Sequence, residues 1–199
     1  MVMGTNMIYT MNSDGGGVSY VTFDPTQIGP NTTLTNGNLT LTSTASGSSC
    51  PSTLARSSGK YCLKITVDNY HTPDGISLGF SEGNSWQLAT VGFFPGVNNW
   101  GLLISDHGHG KAFNTTYTSG YGANAHTGMI IIPYVDFDAG TMGMIIDGTD
   151  YGIMFSFTPN TLLWFHAHMP NSSCTANYGA TIFTGGPSGY WSWDHNQFF

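Results

Sequence analysis

Seven histidines in a chain of 199 residues are the first candidates for chemistry. Asp106-His107-Gly108-His109 sets three groups able to bind a metal or move a proton within four positions, and His166 and His168, two apart, share a face if their segment is a strand. A transition-metal site needs three or four such groups to converge. The sequence offers pairs only, so no metal and no cofactor is assigned. Asp136 and Asp138 have the same spacing and would suit the paired acids of a sugar-cleaving jelly roll, which stand roughly 5–9 Å apart. Glu82 is the single glutamate, and proton donors are scarce. No GxSxG, HExxH or Walker loop is present, and no Cys-His pairing has a motif around it. The sequence therefore assigns no catalytic residue.

The elements that must position these groups are strands. Residues 135–155, VDFDAGTMGMIIDGTDYGIMF, write out a strand, a turn, a strand, a turn and a third strand. Asp138-Ala139-Gly140 and Asp147-Gly148 supply residues that tolerate the positive φ of tight hairpins. Met142, Met144 and Ile146 fall on one face at period two and define a core side. Further strands are predicted at 60–67, 76–80, 88–93 and 100–105, and a hairpin over 31–42 turns at Thr35-Asn36-Gly37. Pro133 cannot donate to a ladder, so an edge or a bulge is expected there. Residues 43–58 read as a Ser/Gly-rich loop, and 117–122 as an exposed Gly/Tyr loop. No segment keeps a helical period over three turns. The fold class is all-β, a two-sheet antiparallel sandwich.

Composition narrows the partners. A hydrophobic fraction of 40% suits one substantial core. Only 8% of residues are charged, against roughly 25% in an ordinary domain, so the surface is polar but uncharged. Arg56, Lys60, Lys64 and Lys111 are too few to neutralise a phosphate run, and a net charge of −7 argues against nucleic acid and anionic membranes. No apolar run approaches the ~20 residues of a membrane span. Cys50, Cys62 and Cys174 are odd in number and lack CxxC spacing. With neither a basic start nor a long apolar run in residues 1–11, reduced thiols and synthesis in a cytoplasm without a signal peptide are expected.

Several ordered motifs resemble SPRY domains. Val135-Asp136-Phe137-Asp138, Ile146-Asp147-Gly148 and Gly152-Ile153-Met154-Phe155 match that family's central segment, and Gly59-Lys60-Tyr61 resembles its Gly-Lys-aromatic strand. Ile76-Ser77-Leu78-Gly79-Phe80, Leu163-Trp164-Phe165 and Asn177-Tyr178-Gly179 fit later strands, so the likeness spans roughly residues 55–180. Cys62, Leu63 and Lys64 depart from the usual aromatics and acid, and Phe165-His166 stands where a Pro-Ala pair is common. The Asn-Gly-centred hairpin at 31–42 is similar to the openings of SPRY-type proteins encoded by bacteriophages.

The resemblance implies a concanavalin-like sandwich over residues 23–184, with an N-terminal arm at 1–22 and an aromatic tail at 185–199. It also implies a non-enzymatic scaffold whose loops recognise a partner. By analogy the binding candidates are Trp86, Asn98, Asn99, His107, His109, Tyr117 and Tyr121, with Trp100 read as core. If Leu163, Phe165, Ala167 and Met169 face inward, Trp164, His166 and His168 form an outward stripe. That stripe and the tail residues Trp191, Trp193, Phe198 and Phe199 are candidate assembly contacts, although the tail has a second fate, folding back to close the sandwich. The expected function is a structural protein of a bacteriophage virion, on the particle surface as capsid decoration, fibre or tail component. Its partners would be copies of itself, other virion proteins and a host-surface glycan or protein. The alternatives are a cellular SPRY adaptor that binds a peptide and, third, a glycan-active enzyme.

Overall fold

The computed structural model describes residues 20–45, 49–71, 75–82, 98–113 and 116–199. Among these there is no helix, and none therefore long and apolar enough to cross a membrane. The described residues form fifteen strands, numbered along the chain, in two sheets packed face to face. The first sheet runs β1 (Thr32–Thr35), β2 (Thr40–Ser43), β14 (Ser173–Asn177), β5 (Lys64–Asn69), β10 (Ile130–Asp136), β11 (Thr141–Ile146) and β12 (Thr149–Ser156). Beside β10 it also holds β4 (Lys60–Cys62), which in turn pairs with β15 (Trp191–Ser192). The second runs β3 (Ser49–Arg56), β13 (Leu163–His168), β6 (Ile76–Ser81), β7 (Asn99–Ile104), β8 (His109–Phe113) and β9 (Thr116–Ser119).

The expected meander is β10–β11–β12. Asp147 (φ 47°) and Gly148 (φ 79°) both take the left-handed conformation that a two-residue hairpin demands. Met142, Met144 and Ile146 lie in the core opposite Leu78, Leu102 and Phe165 of the second sheet, and Trp100 is buried among them. β12 ends the first sheet, and its pairing with β11 is bulged. Side chains answer backbone groups at the bulge, where the Tyr121 hydroxyl accepts from Met144 N and donates to Gly152 O and the Lys111 ammonium donates to Met154 O, the last two at 2.7 Å.

Pro133 sits in an interior strand, not at an edge. Lacking an N–H, it leaves one bond of the ladder unmade while the register continues on either side. Residues 60–67, expected as one strand, divide into β4 and β5 at Leu63, whose N–H bonds Pro133 O at 3.2 Å. The expected loop at 43–58 is corrected more strongly, since half of it is β3. Ser, Pro and Thr hide the alternation, yet Cys50 is fully buried and Ser52 Oγ donates to Leu54 O and accepts from Phe165 N. Residues 116–119 are likewise a strand, the exposed edge strand β9. The strand expected at 88–93 lies outside the described residues, as does most of the arm. Val21 and Phe23 are already core residues, and Phe23 bridges Ser52.

The tail folds back. β15 pairs in parallel with β4, and Trp193 is fully buried between the sheets, stacked on Phe80 (5.6 Å, 28°) and edge-on to Tyr61. Its indole N–H donates to Leu54 O at 3.0 Å, while the Arg56 guanidinium donates twice to Trp193 O, at 3.0 and 2.6 Å, and lies 4.4 Å from the Tyr61 ring centre. Ser192 Oγ accepts from Asn196 N and Gln197 N, closing a tight turn. The Gln197 amide pairs both ways with the backbone of Phe183. Gly179 (φ 124°) is required beside this turn, because a Cβ would collide with Ser192 and Asp194. Residues 183–199 thus cover the outer face at Cys62, Ile132, Tyr134 and Ile145 with Phe183, Tyr190 and Phe199, a second apolar cluster. The tail is part of the domain.

Trp193→Ala should lower stability by about 3–5 kcal/mol, since it empties a large buried volume. Arg56→Lys, which keeps the charge but loses the paired donors, should cost about 1–2 kcal/mol. Urea unfolding at constant slope measures both.

Candidate interaction site

The loop residues picked from the sequence do not form one patch. Asn98 and Asn99 stand at the start of β7 while His107 and His109 flank its far end, about 17 Å away by strand rise. Asn98 takes φ 56° and donates its amide to Glu82 Oε1 at 3.1 Å. Asn99 is buried in the sheet and is corrected from loop to core-edge residue. Tyr117 is exposed on β9. Tyr121 is not a free loop aromatic, because its hydroxyl accepts from Met144 N and donates to Gly152 O, clamping it to β11 and β12. Trp86 lies outside the described residues.

What the topology does assemble is a histidine-bearing end. The β7–β8 turn, the segment before β10, the β11–β12 turn and the residues after β5 are hydrogen-bonded into one surface. Tyr70 OH accepts from Asp106 N (3.0 Å) and donates to Asp106 Oδ1 (3.3 Å), and Tyr70 N donates to Thr127 Oγ1. Ala125 N bonds Ser105 O, and the ring of His109 meets Asn124 Oδ1 at 3.0 Å. His107 pairs with Asp106 at 2.7 Å and His126 with Asp147 at 2.9 Å. Asp147 Oδ1 also accepts from Ile130 N, so the turn acid fixes both the hairpin and the imidazole. His71 joins the same end through its backbone N–H to Ser172 Oγ. The sequence reading missed Tyr70, Asn124, His126 and Asp147 as members. Asp147 had shown only its turn chemistry, and His126 has no ligand-like neighbour along the chain.

Electrostatics at this end follow from the pairs. His126 Nδ1 faces Thr127 O at 3.0 Å and Nε2 faces Asp147, so both nitrogens meet acceptors. First the carbonyl and then the carboxylate raise the imidazole above its ordinary pKa. Partial desolvation works to raise Asp106, but the His107 hydrogen bond and charge outweigh it and the carboxyl sits below the usual range. Such a surface offers imidazoles, amides and carboxylates for recognition. Among the described residues no three His, Cys, Asp or Glu converge as a ligand set.

The outward stripe on β13 is also corrected. Trp164 is half-buried, but His166 is fully buried and His168 is 2% exposed. β13 is an interior strand, with Ser49 and Pro51 of β3 on one side and Ser77, Gly79 and Ser81 of β6 on the other. His166 Nε2 contacts Ser81 Oγ at 2.7 Å, a hydroxyl–imidazole pair like a nucleophile and its base, yet both are buried beyond the reach of a substrate. Desolvation lowers His168 to about 4. Trp193 is likewise no surface contact. Trp191 is half-buried against His195 and Phe198, Phe199 packs on Phe183, and Phe198 remains 58% exposed.

Neither Asp136 nor Asp138 is arranged for glycoside cleavage. Burial works to raise Asp136, but Lys60 at 2.9 Å and the N–H groups of Ala139 and Asp138 hold it below the ordinary value. Asp138 Oδ1 accepts from Gly59 N. Both carboxylates serve turns. The three thiols are free and buried, and desolvation pushes Cys50 and Cys62 up to about 12 and raises Cys174 further, which suppresses thiolate chemistry.

By sequence, no protein-family model and no curated protein matches the chain. By structure, the chain is similar to the SPRY domain of human HERC1, with 16% identity and a TM-score of 0.64 over 80% of this chain and 99% of that one. It is also similar to the TRIM65 PSpry domain, with 12% identity and a TM-score of 0.62 over 79% and 90% of the two chains. The fold is the SPRY-type, concanavalin-like sandwich.

Two titrations of opposite sign follow. His168 is about 4 when folded against about 6.5 unfolded, so its effect is nil above pH 6.5 and costs stability as pH falls toward 4, about 3 kcal/mol in all. His168→Gln should flatten that acid limb in unfolding curves measured across pH 4–7. His126, raised, adds stability below its unfolded value that disappears as pH rises through its folded one. Asp147→Asn should bring the NMR titration midpoint of His126 down, and an unmoved midpoint would contradict the pairing.

Proposed function

We propose that this chain is a non-catalytic binding module that presents its histidine-bearing end to a protein partner, set on the surface of a bacteriophage particle. The observation that carries the module reading is the joining of four separate loops into one hydrogen-bonded, solvent-facing surface, on a fold shared with SPRY domains. The reactive-looking groups elsewhere are buried or bound to backbone. The particle setting is supported by the 8% charged composition, the threonine-rich hairpin and the buried free thiols. There the module would sit as capsid decoration, fibre or tail component, with Phe198 and Trp164 as exposed or half-exposed contacts to neighbours and a host glycan or protein at the loops.

A second reading, a cellular adaptor that binds a peptide, is favoured by the likeness to a domain of a human protein. Mass photometry separates the two. A virion subunit should form a defined symmetric oligomer, and Phe198→Ser should shift it toward monomer. An adaptor should remain monomeric until a peptide is added.

A further inference from the structure

Three of the four basic side chains are committed within the fold. Arg56 donates to Trp193 O, Lys60 pairs with Asp136, and Lys111 donates to Met154 O. Lys64 is different. Among the described residues its side chain has no ion pair or hydrogen bond, and it lines an open cleft of about 330 Å³ on the outer face of the first sheet. The cleft lies where the β1–β2 turn, β5, β14 and residues 180–181 meet, beyond the area covered by the tail.

The register puts the polar groups in order. Asn177 stands opposite Lys64 and Thr175 opposite Thr66. Asn177 is spent on Thr181, to which its amide donates twice, and Thr175 donates to Asp68 Oδ2 at 2.6 Å. The side chains of Lys64, Thr66 and Asn36 line the cleft as donors with no hydrogen-bond partner among the described residues. Lys64, Thr66 and Asp68 alternate on one face of β5, so the Lys64 charge in the cleft is followed about 13 Å along the strand by a carboxylate outside the cleft. That polarity, with a net charge of −7, suits one carboxylate in an otherwise uncharged segment and opposes a polyanion. No aromatic ring among the described residues lines the cleft, so a sugar would find no flat apolar face there to stack on, whereas Leu39 and Ala180 suit the methylenes of an acidic side chain.

We propose that the cleft receives one Asp or Glu side chain of a protein partner, with the Lys64 ammonium as counter-ion and Thr66 and Asn36 as flanking donors. This rests on the binding-module reading and gives that module a second, charge-selective contact on the sheet face. The test is an amide NMR titration with N-acetyl-glutamate methylamide, with N-acetyl-glutamine methylamide as the neutral probe and methyl glucuronide as the glycan probe. The glutamate probe should saturably shift Asn36, Lys64 and Thr66. Lys64→Gln should weaken it at least about tenfold and Lys64→Arg retain it, with unchanged thermal unfolding confirming that both variants fold. Equal shifts from the neutral probe, undiminished binding to Lys64→Gln, or preferential binding of the glucuronide would each overturn the assignment. If the chain still assembles or captures a partner after such a result, the module reading stands without the cleft. If the probe binds but the chain neither assembles nor captures a partner, the cleft stands and the module reading falls.

Discussion

The burial of Trp193 between the two sheets is the contact on which the architecture depends. Its ring lies against Phe80 of one sheet and against Tyr61 and Phe137 of the other, so one side chain from the end of the chain completes a core assembled from strands far earlier in sequence. A ring of that size cannot enter such a position without its backbone, and the backbone brings polar groups with it. Arg56 and Leu54, both on β3, answer the carbonyl and the indole N–H, so the same strand that closes the second sheet receives the tail. Burying the aromatic and satisfying its peptide are a single event.

With the tail in place, the outer face of the first sheet divides into two regions of different chemistry. One half is apolar and covered by residues 183–199. The other half carries exposed or half-buried hydroxyls, with Thr33 and Thr35 of β1 beside Thr40 and Thr42 of β2, and these lead to the Lys64 cleft. Few charges are needed for solubility when threonine occupies an exposed strand, because its branched side chain suits the pleat and its hydroxyl meets water. The low charge of the chain then becomes a property of its surfaces, and the few ions present carry specific jobs at turns, edges and the tail.

The separation of the two ends of the sandwich bears on recognition. Asp106, His107, His109, His126 and Asp147 meet at one end, and Asn98 and Glu82 at the other. A partner engaging the first end meets imidazoles paired with carboxylates, whereas one reaching the Lys64 cleft meets a single ammonium group. The SPRY-type fold accommodates both because its loops and sheet faces vary independently of the core.

The meander at 135–155 was legible in the sequence because its information is local. Asp147-Gly148 can turn only one way cheaply, and period-two alternation puts Met142, Met144 and Ile146 on one side whatever packs against them. The all-β sandwich and the core position of Trp100 followed from such patterns, whereas the SPRY likeness rested on the resemblance of ordered motifs. What the tertiary structure alone decided concerns neighbours distant in sequence. β3 is a strand because Phe23, Phe165 and Trp193 need a wall there, not because Ser, Pro and Thr alternate clearly. His166 and His168 face away from the core, as their spacing requires, yet are buried, because period two tells which face a residue takes and not whether that face is covered. The histidine end arises in the same manner, from four turns that only the topology brings together.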